Sequence, residues 1–194
     1  MKSFDYDLRY LKAGVDELES YLLSENLYWP LDVKAQANEP AFPNLTLGNL
    51  LLSKARLLAR HRTLEQDLQL GAILPRLDQV RSQWRAAWNK KAARSLHSRL
   101  NTWRDFLEEY RKAPDAHYDR YAYEVGRRVM LDLLLPELGA PQEELTGLLS
   151  RLDALLQTLL LPGNFIWDAE LAGGFPPADF WYLYGSLPEK LEST

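Results

Sequence analysis

The sequence contains no cysteine, which excludes a disulfide framework, a thiolate nucleophile and any Cys-ligated zinc or iron–sulfur centre. Histidine is nearly as scarce: His61, His97 and His117 are the whole supply. The residues three before them are Leu58, Arg94 and Pro114, so the Glu-x-x-His pairs of a di-iron carboxylate bundle are missing. There is no H-E-x-x-H helix, no G-x-x-x-x-G-K-[ST] loop, no G-x-G-x-x-G turn and no G-x-S-x-G elbow. These absences predict no resident metal and no cofactor, and they make catalysis the less favoured reading.

Long apolar runs are missing too. Leu145 to Leu161 is interrupted by Ser150, Arg151, Asp153, Gln157 and Thr158, whereas a membrane span needs about 18 apolar residues in a row. The N-terminal residues Met1-Lys2-Ser3-Phe4-Asp5-Tyr6-Asp7 have no apolar stretch behind them and do not read as a signal peptide. The expected location is cytoplasmic, with no membrane association. Asn44-Leu45-Thr46 fits a glycosylation acceptor, which without a secretory route has no meaning.

What is present is helical periodicity. The chain has 194 residues, 46% hydrophobic and 26% charged, with a formal charge of -4; that is globular composition. Leu8, Leu11, Val15, Leu18 and Leu22 make one stripe, predicting a helix from about Phe4 to Ser24 capped by Ser3. Pro30, Pro40 and Pro43 bar a helix between Asn26 and Leu45. A loop of about 20 residues there is either a functional cover or partly mobile. Thr46 caps a second helix to about Arg60, with Leu47, Leu50, Leu51, Leu57 and Leu58 inward.

Thr63-Leu64-Glu65-Gln66 opens a third helix with a capping box. From there to Lys112 only Gly71 and Pro75 interrupt the pattern, but its phase slips at Asn89-Lys90-Lys91. One long helix is preferred to two meeting near Asn89, because the residues at the slip are good helix formers. A fourth helix from Pro114 to before Pro136 turns Tyr118, Tyr121, Val125 and Val129 inward. The fifth, from Pro141 to Pro162, is so leucine-rich that it is the expected centre of the bundle.

The tail from Asn164 allows one short helix near Ala178 to Tyr184, and strand-like alternation is absent. Residues 164–187 hold seven of the chain's 22 aromatics, too many for a solvated linker. The expected architecture is all-α: an antiparallel bundle of about five helices over residues 1–163, one of them long and kinked or restarted at Pro75. An aromatic-rich tail, 164–194, packs on the bundle or on a partner subunit.

Three groups of residues are candidates for chemistry. Asp105, Glu108, Glu109, Asp115, His117, Asp119, Tyr121 and Glu124 flank one helix turn, where carboxylates with an imidazole can hold a cation. A solvated helix end is the preferred explanation. Tyr121, Glu124, Arg128 and Asp132 form a polar stripe among apolar residues, either a structural network or the lining of a pocket inside the bundle.

The third group is basic. Between Lys54 and Arg104 lie twelve basic and three acidic residues, against 11 basic and 24 acidic elsewhere. Arg81, Trp84, Arg85, Trp88, Lys90, Lys91, Arg94 and Arg99 combine cations with rings, as a nucleic-acid surface does. These positions spread around a helix instead of forming one stripe, so compensation by the protein's own acids is preferred. The favoured function is a non-catalytic interaction or scaffold protein that self-associates, most simply as a dimer, through its long helix and tail, with a protein partner also open. The alternatives are a nucleic-acid-associated subunit and a small-molecule binder or enzyme.

Overall fold

The computed structural model describes residues 3–190. Ser3 caps α1 (Phe4–Asp16), its hydroxyl accepting from the Tyr6 amide at 3.1 Å. A break at Glu17 separates α1 from α2 (Leu18–Leu23), yet backbone bonds from Glu17 to Ala13 and from Tyr21 to Glu17 carry the helical path across it. The expected single helix thus runs in two pieces. Glu17 uses its position to hold the following loop, accepting from the Trp29 indole at 2.7 Å and the Asp32 amide at 3.0 Å.

The loop between α2 and the next helix is closed by backbone bonds and held against α1 by hydroxyl and ring contacts. Trp29 and Leu45 exchange backbone bonds, Tyr6 and Tyr10 donate to the Ala41 and Asn44 carbonyls, and Phe42 lies edge-on to both rings.

Thr46 caps α3 (Leu47–Ala59), and Thr63 with Gln66 closes a capping box on α4 (Leu64–Gln83). Leu58, expected inward, is exposed. Pro75 sits inside α4 without ending it. The bond it cannot donate belongs to the carbonyl of Gly71, an exposed residue where water can take its place.

The long helix does break, but at Trp84 and not near Asn89: α5 runs from Arg85 to Lys112. α4 packs on α1, whereas α5 packs on α3 and on α8 (Gly126–Leu134), so the axis turns where the packing partner changes. Arg81 and Trp88, on either side of the bend, converge on Glu137.

Residues 114–134 wind through α6 (Pro114–His117), a 3-10 turn, α7 (Tyr121–Glu124) and α8 (Gly126–Leu134). Tyr121, Val125 and Val129 are buried as expected, but Tyr118 is exposed; the tighter 3-10 turn at 118–120 shifts the phase by part of a turn. The centre of the molecule is α5, flanked by α8 and α3, with Trp88, Trp103, Leu107 and Tyr110 fully buried. The leucine-rich α9 (Glu143–Leu159) lies to one side and buries only Leu149, Leu152 and Leu156. Its leucines extend around more of the helix than its contact with α5 covers.

The tail departs most from expectation. β1 (Leu161–Phe165) pairs antiparallel with β2 (Tyr184–Ser186), with an irregularity between Pro162 and Phe165. Gly185 permits this approach: a Cβ there would meet the Leu161 carbonyl oxygen at 2.4 Å. Between the strands the chain makes 3-10 turns, including Trp181–Leu183 in place of the expected helix. Leu171, Phe175, Tyr182, Leu183 and Leu187 are buried in the chain's own core. No described helix is long and apolar enough to cross a membrane.

Candidate anion-binding cleft

The basic stretch does not form a common surface. Arg81 pairs with Glu137 at 2.7 Å, and Lys90 and Arg94 share Glu25 at 3.4 and 3.8 Å. Trp88 is core, Trp84 is half-buried, and Arg85 is exposed. Lys91 is buried: its ammonium donates to the Asn26 carbonyl and to Ser24 Oγ, and lies 4.4 Å from the centre of the Tyr21 ring. Burial, aided by Arg94, lowers its pKa to about 8. Of these eight residues, Arg99 alone faces a cavity described below.

The polar stripe separates into two parts. Arg128 binds Asp132 at 2.5 Å and Asp153 at 2.7 Å, with its guanidinium over the Tyr182 ring. Tyr182 donates to Asp132, and Tyr121 donates to the Tyr182 carbonyl at 2.6 Å. Burial works against the charge of Arg128, but the Asp153 hydrogen bond and the Asp132 charge outweigh it and raise its pKa. The Tyr182 ring fills this cluster, which clamps the tail to α8. Glu124 faces elsewhere, pairing with Arg120 and Arg127. The acidic hairpin end is likewise ion-paired: Asp105 and Glu108 meet Arg104, and Glu109 meets Arg120. Among the described residues no group of three or more His, Asp or Glu is placed to hold a metal.

A cleft of about 380 Å³ opens between α3, α5, α7 and α8, with the 24–45 loop on one side and the tail on the other. Arg56 (α3), Arg99 (α5) and Arg127 (α8) line it, and no carboxylate does. Leu52 and Met130 give it an apolar floor, Asn44 and Asn49 polar edges, and Tyr28, Tyr123 and Trp167 its rings. An adjoining hollow, sharing Arg56, Tyr123 and Trp167, adds Arg60 and Asp168.

Arg56 and Arg127 are held by carboxylates outside the lining. Asp7, fully buried on α1, accepts from Arg56 Nε at 3.1 Å, from Arg60 Nη1 at 3.0 Å and from the Ser53 hydroxyl at 3.3 Å. Arg60 also reaches Glu170 at 2.5 Å. Glu124 holds Arg127, whose pKa is lowered by burial and further by Arg99 and Arg120, against an opposing influence of Tyr123.

Arg99 differs. Its guanidinium donates to Thr46 Oγ1 at 3.2 Å and Asn49 Oδ1 at 3.4 Å, and it makes no ion pair among the described residues. Those partners form the first turn of α3, which also carries no acidic residue. A cation is thus set against the positive end of a helix dipole, and an incoming anion relieves both.

Arg56, Arg127, Tyr28, Tyr123 and Trp167 were not legible as site residues. They come from five separate segments, and the sequence signals were only the Lys54–Arg104 basic excess and the Arg127-Arg128 pair. Compared with models of known protein families, with curated proteins and with solved structures, the chain matches none.

Proposed function

We propose that this is a non-catalytic binding protein that takes an anionic partner in the cleft between α3, α5 and α8. The carrying observation is the convergence of Arg56, Arg99 and Arg127, from three helices, on a cavity whose lining includes no carboxylate. Guanidinium groups offer planar, paired donors suited to carboxylates and phosphates. The lining also holds no serine, threonine, histidine or lysine, which supports binding over group transfer. Calorimetric titration with inorganic phosphate, sulfate and citrate tests it. Saturable binding that weakens with salt and drops about tenfold or more in Arg99→Gln is expected. Heat-silent titrations with all three, alongside unchanged melting temperatures, would overturn the proposal.

Self-association is a second reading, resting on a different surface. Leu58, Leu64 and Leu68 are exposed around the α3–α4 turn, Leu64 and Leu68 one helical turn apart, and such apolar groups mark contact sites when they cluster. Native mass measurement tests it: a dimer dispersed by Leu64→Glu with Leu68→Glu supports this reading, and a monomer at high micromolar concentration removes it.

A further inference from the structure

We infer that the anion is the phosphate of a single nucleotide, a nucleoside monophosphate bound with its phosphate on Arg99 and Arg127 and its base against the aromatic mouth of the cleft. This rests on the anion-binding reading above and specifies it. Among the described residues the large aromatic side chains exposed to solvent are Tyr28, Tyr118 and Tyr123, and two of the three line this one cleft. Tyr123 is 79% exposed, an arrangement with an unfilled π-face where bases stack readily.

Trp167 is the opposite case, a fixed ring. Its indole donates to the Ala122 carbonyl at 2.9 Å and its ring packs nearly perpendicular to that of Phe175, with centroids 5.5 Å apart. A rigid indole, a free phenol and an apolar floor next to unpaired guanidinium charge suit a ligand that is flat at one end and anionic at the other. Citrate or sulfate uses only the second half of that surface.

Size and charge favour one nucleotide over a strand. A cavity of about 380 Å³ falls at the small end of ligand sites. A strand needs a track of free cations leading away. Along α5 and the end of α4, Arg81, Lys90 and Arg94 are already paired with Glu137 and Glu25. In the adjoining hollow Arg60 is held by Asp7 and Glu170, with Asp168 beside it.

The test uses the full chain, with calorimetry and tryptophan fluorescence, against adenosine monophosphate, cytidine monophosphate, inorganic phosphate, adenosine and an oligoadenylate. Mononucleotides are expected to bind about tenfold or more tighter than phosphate or adenosine and to quench tryptophan emission. Tyr123→Ala removes that advantage while leaving phosphate binding intact, and Arg99→Gln weakens both. Tyr123 is exposed, so its variant retains the wild-type melting temperature.

Equal affinity for phosphate and mononucleotide, unmoved by Tyr123→Ala, overturns this inference and leaves the anion-binding reading standing. Affinity that rises with oligoadenylate length overturns the single-nucleotide assignment. Absence of binding by every probe overturns both.

Discussion

Asp7 is fully buried and answers two arginines at once, so its removal leaves buried Arg60 with Glu170 alone and Arg56 with no carboxylate. Asp7→Ala is expected to cost about 3–5 kcal/mol, read as a lowered urea midpoint. Lys91 makes the opposite contribution, because folding buries a charge that burial disfavours. With its pKa lowered from 10.5 to about 8, both states are protonated below pH 8 and the penalty is complete. Between about 8 and 10.5 only the unfolded chain keeps the proton, so stability climbs with pH. Tyr10, Tyr21, Tyr121 and Tyr182 have pKa values raised by burial above the ordinary 10.0. Above pH 10 the unfolded chain ionises first, and stability falls. Unfolding midpoints across pH 7.5–11 should therefore pass through a maximum at about pH 9.5, where the unfolded tyrosines begin to outweigh the single lysine, and Lys91→Met should flatten the rising limb. A monotonic fall from neutrality would contradict the assignment. Sequence reading placed Lys91 with the surface cations, because helical phase is unreliable where the stripe drifts.

At the scale of elements, periodicity found every major helix and misjudged how they connect and where they sit. Caps at Ser3, Thr46 and Thr63 are local hydrogen-bond chemistry, so they were legible from three or four residues. The break at Trp84 was not, since it follows from α4 and α5 choosing different neighbours. Leucine count placed α9 at the centre, but centrality depends on how many elements surround a helix, and aromatic α5 has more of them. The β1–β2 pair depends on Gly185 meeting a backbone 24 residues away, a partnership without alternation to announce it. Pro75 offers a direct test. It occupies a helix interior at the expense of one backbone bond, so Pro75→Ala should raise stability by about 1–3 kcal/mol. A loss in calorimetric melting would show that the proline is shaping α4 instead of merely being tolerated.

Over the whole molecule, the uneven charge seen in the sequence is resolved by long-range pairing. Arg76 meets Asp16, Lys90 and Arg94 meet Glu25, Arg81 meets Glu137, and Arg56 and Arg60 meet Asp7. Basic α3–α5 is thereby tied to the acidic segments around it; Lys54, Arg85, Lys91 and Arg99 make no ion pair among the described residues, and of these four Arg99 alone lines the cleft. The tail is tied equally firmly. It places five hydrophobic side chains in the core, each contributing about 1.5–3 kcal/mol, against a total stability of about 5–15 kcal/mol for a typical domain. Truncation after Gly163 should therefore abolish cooperative unfolding; a truncated chain that melts as sharply as the intact one would show that the bundle is self-sufficient.

Trp167 belongs to that tail and is also a wall of the cleft, its indole fastened to the residue beside Tyr123. Occupancy of the site and seating of residues 164–190 are therefore thermodynamically linked. Bound ligand should slow amide exchange around residues 165–183, and Trp167→Ala should weaken the ligand and loosen the tail together. The protein would then report a filled cleft at a distance, through how tightly its own C-terminal segment is held.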